Sequence, residues 1–194
     1  MHTSVIRNHR VATGRRKWAS GTAESTHPET MTEKVSVLFV CLGNICRSTM
    51  SEGVFQSLAQ TEPYTDLIDR IDSCGTGAYH VGDSPDRRTM ATLKAKGVKG
   101  YKHAARQVLP PSLYARNTGP PTNPPQLHPS DFQTFDYIFA MDRSNLNDTL
   151  RKQKLKYPNG DSKAKVMLFG EYSGGKVEEI EDPYYGGEEG FERA

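Results

Sequence analysis

The chain carries little net charge, few cysteines and no long apolar run, and each shortage excludes a class of protein. A formal charge of +2, from 25 basic and 23 acidic side chains, argues against a general nucleic-acid binder, which needs a basic surface. Three cysteines, an odd number, do not build the disulfide framework of a small secreted domain; they fit a reducing, cytoplasmic setting. No apolar stretch approaches the roughly 18 residues of a membrane span. No Gly-x4-Gly-Lys-Ser/Thr nucleotide loop leads into Arg47-Ser48. Zinc-type Cys/His pairs are missing too, since Cys41 and Cys46 lack the usual spacing and His80 and His103 lie far along the chain. Apolar residues make up only 35% of the 194. That length suffices for one domain with a real core, with sizeable parts of the chain outside it.

What is present begins at Val35-Ser36-Val37-Leu38-Phe39-Val40, a short run that reads as a buried strand. Cys41-Leu42-Gly43-Asn44-Ile45-Cys46-Arg47-Ser48 follows directly. Gly43 and Asn44 tolerate unusual backbone angles and suit a tight loop. A helix-like pattern continues through Val54, Phe55 and Leu58. Strand, loop and helix N-terminus aim several backbone N–H groups at one point, an arrangement that binds phosphate-like anions. Cys41 stands at the strand end, Arg47 six residues on. A helix N-terminus and a nearby cation favour the thiolate, which is the nucleophilic form of cysteine. Arg47 presents a forked pair of donors to phosphoryl oxygens, and the Ser48 hydroxyl is placed to donate to the sulfur. A cysteine ending a core strand is most often just a small buried apolar side chain. The strand–loop–helix context separates this one from that case.

Elsewhere the chain alternates. Helix one is expected from about Ser48 to Gln60, and a short second strand at Arg70-Ile71-Asp72-Ser73. Asp83-Ser84-Pro85 caps a helix from about Asp86 to Lys96, with Gly97 as its stop. A third strand runs from Phe135 to Met141, Ser144 caps the helix behind it, and Lys165 to Phe169 forms a fourth strand. Alternating strands and helices give an α/β fold, a single domain with a four-stranded parallel sheet flanked by helices on both faces. Ligands on such sheets bind at the carboxyl ends of the strands, where Cys41 sits.

Two segments fall outside this pattern. Residues 1–33 are polar, with Arg7, Arg10, Arg15, Arg16 and Lys17 ahead of the first acid, Glu24. A disordered extension, with Met31 as the natural start, is favoured over an acid-poor targeting segment because the apolar face is poor. Residues 109–130 hold seven prolines, too many for a helix or a central strand. An unstructured insertion is the simpler expectation, and contact with SH3- or WW-type modules the alternative.

The stretch from Val37 to Ser48 resembles the active-site signature of the low molecular weight protein tyrosine phosphatases, and Glu181-Asp182-Pro183-Tyr184-Tyr185-Gly186 resembles their second motif. Ile71-Asp72-Ser73 with Gly77-Ala78-Tyr79, and Phe135 through Asn145, agree. The resemblance covers about Val35 to Arg193 apart from the insertion, and implies a phosphatase domain over residues 34–194. It implies hydrolysis of protein phosphotyrosine and small aryl phosphates, including acid phosphatase activity. Cys41 would be the nucleophile, Arg47 and the loop residues Leu42, Gly43, Asn44, Ile45, Cys46 and Ser48 the phosphate cradle, and Asp182 the general acid and base. It further implies that Tyr79, Tyr184 and Tyr185 wall the substrate cleft, that Ser73, His103 and Asp142 support the loop, and that Cys46 forms a protective disulfide with Cys41 under oxidation. Phosphotyrosine proteins are the implied partners, with no cofactor, metal, nucleic acid or membrane. Thr49 stands where the family usually has proline. The family's closing C-terminal helix is expected to be missing, since the sequence stops at Ala194. One rival, a thiol-coupled arsenate reductase, requires further cysteines to shuttle a disulfide, and none follows Cys74. The other is a non-catalytic phosphate-binding or truncated product.

Overall fold

A computed structural model of the chain describes residues 33–77, 79–105, 127–173 and 179–193. The extension expected at 1–33 lies outside these but for Glu33, and so does the proline-rich insertion up to residue 126.

Strand β1, Val35–Cys41, occupies the middle of the sheet, and its composition explains why. Side chains alternate across a strand, and here both faces are apolar. Leu38 and Val40 pack against Phe132, Phe135 and Ile138 on one side. Val37, Phe39 and Cys41 pack against Phe55, Phe139 and Met141 on the other. Phe39 and Leu38 are fully buried; burial of such a side chain is worth about 1.5–3 kcal/mol. Strands β2 (Ile68–Gly75), β3 (Tyr137–Ala140) and β4 (Lys165–Leu168) complete a parallel sheet in the order β2-β1-β3-β4. The chain leaves β1 toward β2 and returns to β3 on β1's other side. The crevice at such a reversal opens at the carboxyl ends of β1 and β3, which places the residues after Val40 and after Ala140 side by side.

Helix α1 (Arg47–Ala59) and helix α2 (Arg87–Ala95) pack together, α1 also covering β1 and β2. Gly53 lets them approach, since a β-carbon there would lie 2.9 Å from Leu93 Cδ1. A short helix α3 (Asp131–Thr134) and helix α4 (Arg143–Lys156) complete the described helices beside β3 and β4, followed by a 3-10 turn at Phe169–Ser173. A six-residue helix α5, Glu188–Arg193, ends the described chain, with Phe191 buried against the α1–α2 side.

Several boundaries differ from the sequence reading. The cap of α4 is Asp142, whose carboxylate accepts from Asn145 N, not Ser144. The cap of α2 is Asp86, accepting from Arg88 N. Both are Asx caps one or two positions from the residue expected, because either neighbour suits the role by composition. Strand β3 starts at Tyr137 because Phe135 still closes α3. At the end of the expected insertion, Leu127 is buried with Phe132 and the Pro129 carbonyl accepts from Tyr157. Gly97 does end α2 in a left-handed conformation, φ 87°.

Candidate active site

The segment Cys41–Ser48 wraps from the end of β1 into the first turn of α1, and its backbone is held by the residues that follow β2. Thr76 N donates to the Cys41 carbonyl and Gly77 N to the Leu42 carbonyl, each at 2.8 Å. Gly75 is required at this approach, because a β-carbon would lie 2.8 Å from the Leu42 carbonyl oxygen. Within the loop only Asn44 adopts the left-handed conformation, φ 57°. Gly43 serves instead by leaving room for the His80 ring, 3.0 Å from where its β-carbon would stand. Thr49 donates its hydroxyl to the Cys46 carbonyl at 2.8 Å, tying down the first helical turn.

Cys41 Sγ sits at the base of this loop, buried. Asn44 N donates to it at 3.3 Å, and Ser48 Oγ lies 3.1 Å away. Ser48 Oγ already accepts from Asn44 Nδ2 at 3.0 Å, so its own proton is free to point at the sulfur. The cradle therefore presents donors to a thiolate. Cys46 differs: burial, then the charges of Asp86, Cys41 and Asp182, push its thiol up to about 12. Cys46 is thereby held protonated.

Asn44 is the hub behind the loop. Its Nδ2 also donates to Ser73 Oγ at 2.9 Å, and its Oδ1 faces His103 Nε2 at 2.9 Å. These bonds lead to Glu52, a buried carboxylate on α1 that sequence reasoning missed. Glu52 Oε2 accepts from Ser73 Oγ (2.6 Å) and Tyr101 OH (2.9 Å) and pairs with His103 Nδ1 (3.0 Å); Oε1 accepts from Gln56 (2.8 Å). Both His103 nitrogens thus face oxygen acceptors. Glu52, Asp72 and His103 bring ligand atoms within 4.8 Å of one another. Glu52 spends its oxygens on this network, which reads as a loop anchor. No local signal in the sequence marks an acidic residue at helical spacing after Ser48 for this role.

Arg47 is buried, and three of its donors are engaged by the protein. Nη1 donates to Asp142 Oδ2 at 2.6 Å and to the Ile180 carbonyl at 3.1 Å; Nη2 donates to Asp182 Oδ2 at 2.7 Å. Burial opposes its charge, but the Asp142 bond and the charges of Cys41, Asp182 and Asp142 outweigh it and raise its pKa. Asp142 holds the arginine with one oxygen and caps α4 with the other.

Cys41, Arg47 and Asp182 line one cleft of about 410 Å³, together with Leu42, Gly43, Ile45 and Cys46 from the loop. Tyr79, Tyr184 and Tyr185 rise around its mouth, the last two edge-to-face with ring centroids 5.0 Å apart. His80, unassigned from sequence, joins them, its ring 5.8 Å from that of Tyr184. Every candidate site residue thus falls either in the cleft (Cys41 through Arg47 except Asn44, the three tyrosines, Asp182) or in the shell behind it (Asn44, Ser48, Ser73, His103, Asp142). An anion at the cleft floor meets a buried guanidinium and loop amides, beside a sulfur supplied with donors and a carboxyl group at the rim. That combination suits attack of sulfur on a phosphoryl group.

Among the described residues no helix is long and apolar enough to cross a membrane. The profile of the family described as low molecular weight phosphotyrosine protein phosphatase matches residues 36–194. The Schizosaccharomyces pombe protein of that name is 49% identical over 162 residues, which is 83% of this chain and 88% of that one. The Gallus gallus protein is 44% identical over 160 residues, 82% of this chain and 86% of its own. Among solved structures, a protein tyrosine phosphatase from Entamoeba histolytica superposes with a TM-score of 0.62 at 33% identity, covering 82% of this chain and 86% of that one.

Proposed function

The chain belongs to the low molecular weight phosphotyrosine protein phosphatase family, and from that premise we propose that it hydrolyses protein phosphotyrosine and small aryl phosphates through a cysteinyl-phosphate intermediate. The Cys41 thiolate attacks phosphorus while Asp182 gives its proton to the departing aryl oxygen, so the S–P bond forms as the P–O bond breaks. Asp182, now a carboxylate, takes a proton from water as that water attacks phosphorus. The thiolate leaves with its electron pair, and inorganic phosphate is released. Arg47 and the loop amides carry the charge of the equatorial oxygens through both steps.

One observation carries this reading: Arg47 bonds to Asp182 in the same cleft that has Cys41 Sγ at its base. A phosphoryl group seated on Arg47 is then within reach of both the sulfur and the carboxyl group. The tyrosine-rimmed mouth fits an aryl ester and leaves a short phosphoserine away from the floor. Asp182 must carry its proton while Cys41 has lost its own, which favours mildly acidic pH. A thiolate nucleophile also fits a reducing, cytoplasmic setting.

The test is hydrolysis of para-nitrophenyl phosphate from acidic to neutral pH, with chelator present, by the chain and its Cys41→Ser variant. Activity that vanishes in the variant is expected. Activity that survives Cys41→Ser refutes the nucleophile, and a folded but inactive parent chain favours a phosphate-binding module.

A further inference from the structure

Arg88, in the first turn of α2, touches neither the loop sulfur nor the cleft floor, yet it bridges the two halves of the site. Its Nη2 donates to the Tyr184 carbonyl and its Nη1 to the Gly186 carbonyl, each at 3.1 Å. These are the backbone oxygens of the turn that begins at Asp182, where Tyr184 N donates to the aspartate's Oδ1 at 3.1 Å. The guanidinium also lies over the Phe191 ring, 4.4 Å from its centroid. Asp86 fixes the arginine from the other side: Oδ1 accepts from Arg88 Nε at 3.1 Å and Oδ2 from Nη2 at 2.9 Å. Asp86 in turn is tied to the phosphate cradle, its N–H donating to the Ile45 carbonyl at 2.8 Å. Thr89, one residue past Arg88, reaches the same carbonyl with its hydroxyl at 3.3 Å. A continuous path of hydrogen bonds thus runs from the loop behind Cys41, through Asp86 and Arg88, to the turn that carries Asp182. The bond to Arg88 holds the Asp86 carboxyl below its ordinary range, so the clamp stays charged on both sides across acidic working pH.

The need for such a clamp follows from the other tie between these segments. Asp182 is held directly by Arg47 Nη2, but a phosphoryl group seated in the loop takes that donor for its own oxygens. During turnover the acid therefore loses its contact with Arg47, at the moment when its distance from the leaving oxygen matters most. The two bonds from Arg88 run to backbone carbonyls and do not draw on the Arg47 donor.

We propose that Arg88 is a positioning residue that holds the Asp182 turn at reacting distance from the leaving group once phosphate has displaced Asp182 from Arg47. The proposal rests on Asp182 being the general acid. A misplaced acid costs most where the leaving oxygen most needs a proton, and effects of this kind reach about 10²-fold for displacements near 1 Å.

The experiment compares kcat/KM for phenyl phosphate, a poor leaving group, with that for 2,4-dinitrophenyl phosphate, a good one, in the parent chain, Arg88→Met, Asp182→Asn and the double variant. Arg88→Met keeps an apolar stem over Phe191 and deletes the fork; Arg88→Lys replaces it if circular dichroism shows the methionine variant unfolded. The expected result is a loss of about tenfold or more on phenyl phosphate and about twofold or less on the dinitrophenyl ester. Asp182→Asn is expected to show the same asymmetry, larger, and Arg88→Met to add no further asymmetry in that background. An equal loss on both esters from Arg88→Met, or an undiminished effect in the Asp182→Asn background, overturns the positioning role. If Asp182→Asn itself shows no asymmetry, the assignment of the acid falls first, and the Arg88 proposal with it.

Discussion

Replacing Glu52 with glutamine tests whether a buried charge anchors the catalytic loop. Glu52 is 4% exposed, and its Oε2 gathers two hydroxyls and the His103 ring. Glutamine keeps the volume and one oxygen, so the hydroxyl donors retain an acceptor. The negative charge facing His103 Nδ1 is lost, and an amide N–H₂ replaces one carboxylate oxygen among donors. Each hydrogen bond to a charged group is worth about 1.5–3 kcal/mol. Since the hydroxyl bonds survive in weakened form, the expected loss is about 3 kcal/mol. With a urea slope near 2 kcal/mol/M, the unfolding midpoint falls by about 1.5 M. The effect extends to catalysis because His103 holds Asn44 Oδ1 and Asn44 supplies the N–H bonded to Cys41. A fall in kcat/KM of about tenfold is expected in the variant that remains folded without urea. Glu171, exposed on the 3-10 turn, provides the comparison, with Glu171→Gln expected within about 0.5 kcal/mol of the parent. If Glu52→Gln is as stable and as active as Glu171→Gln, the anchoring argument is wrong.

Three further outcomes follow from the geometry. Gly75→Ala forces a β-carbon to 2.8 Å from the Leu42 carbonyl oxygen, where backbone must move; a loss of about 1–3 kcal/mol in chemical denaturation and reduced kcat are expected, and an unchanged midpoint contradicts the close approach. Cys46 has a folded pKa of about 12 against an ordinary 9.0. Its contribution is intact below pH 9, because both folded and unfolded thiols are protonated there. It drains at about 1.4 kcal/mol per pH unit as the unfolded thiol ionises first, until the folded pKa is reached; Cys46→Ser should show the shallower alkaline decline, and equal slopes exclude this source. After peroxide inactivation the parent chain should recover with added thiol through a Cys41–Cys46 disulfide, and equal recovery by Cys46→Ser rules that pairing out.

The parts of the site that lie close together in sequence were legible there. From Val35 to Ser48 the strand, the loop and the helix start are written in consecutive residues, because their bonds span a few positions: Asn44 N to Cys41 Sγ, Ser48 Oγ to the same sulfur. The alternation of strands and helices carried the α/β class in the same way, through the periodicity of burial. Asp182 was readable only through the second motif, since an Asp-Pro-Tyr-Tyr-Gly stretch by itself describes a turn.

Glu52 and Arg88 were not legible, and the reason is common to both. A charged residue in a helix looks like part of a solvated face, and its meaning depends on what the fold brings to it from 21 to 98 positions away. Burial of Glu52 against Tyr101, His103 and Ser73, and the reach of Arg88 to the Tyr184 carbonyl, exist only once α1 and α2 have packed. The sequence by itself determined the Cys41–Ser48 loop and the parallel sheet that exposes it, because those rest on local backbone geometry and side-chain periodicity. Tertiary structure alone decided how Asp142 and Asp182 share Arg47 and how the turn that carries Asp182 is tied to the loop. Those contacts depend on β1 and β3 lying adjacent with their carboxyl ends aligned, a pairing across about 100 residues that no local pattern records.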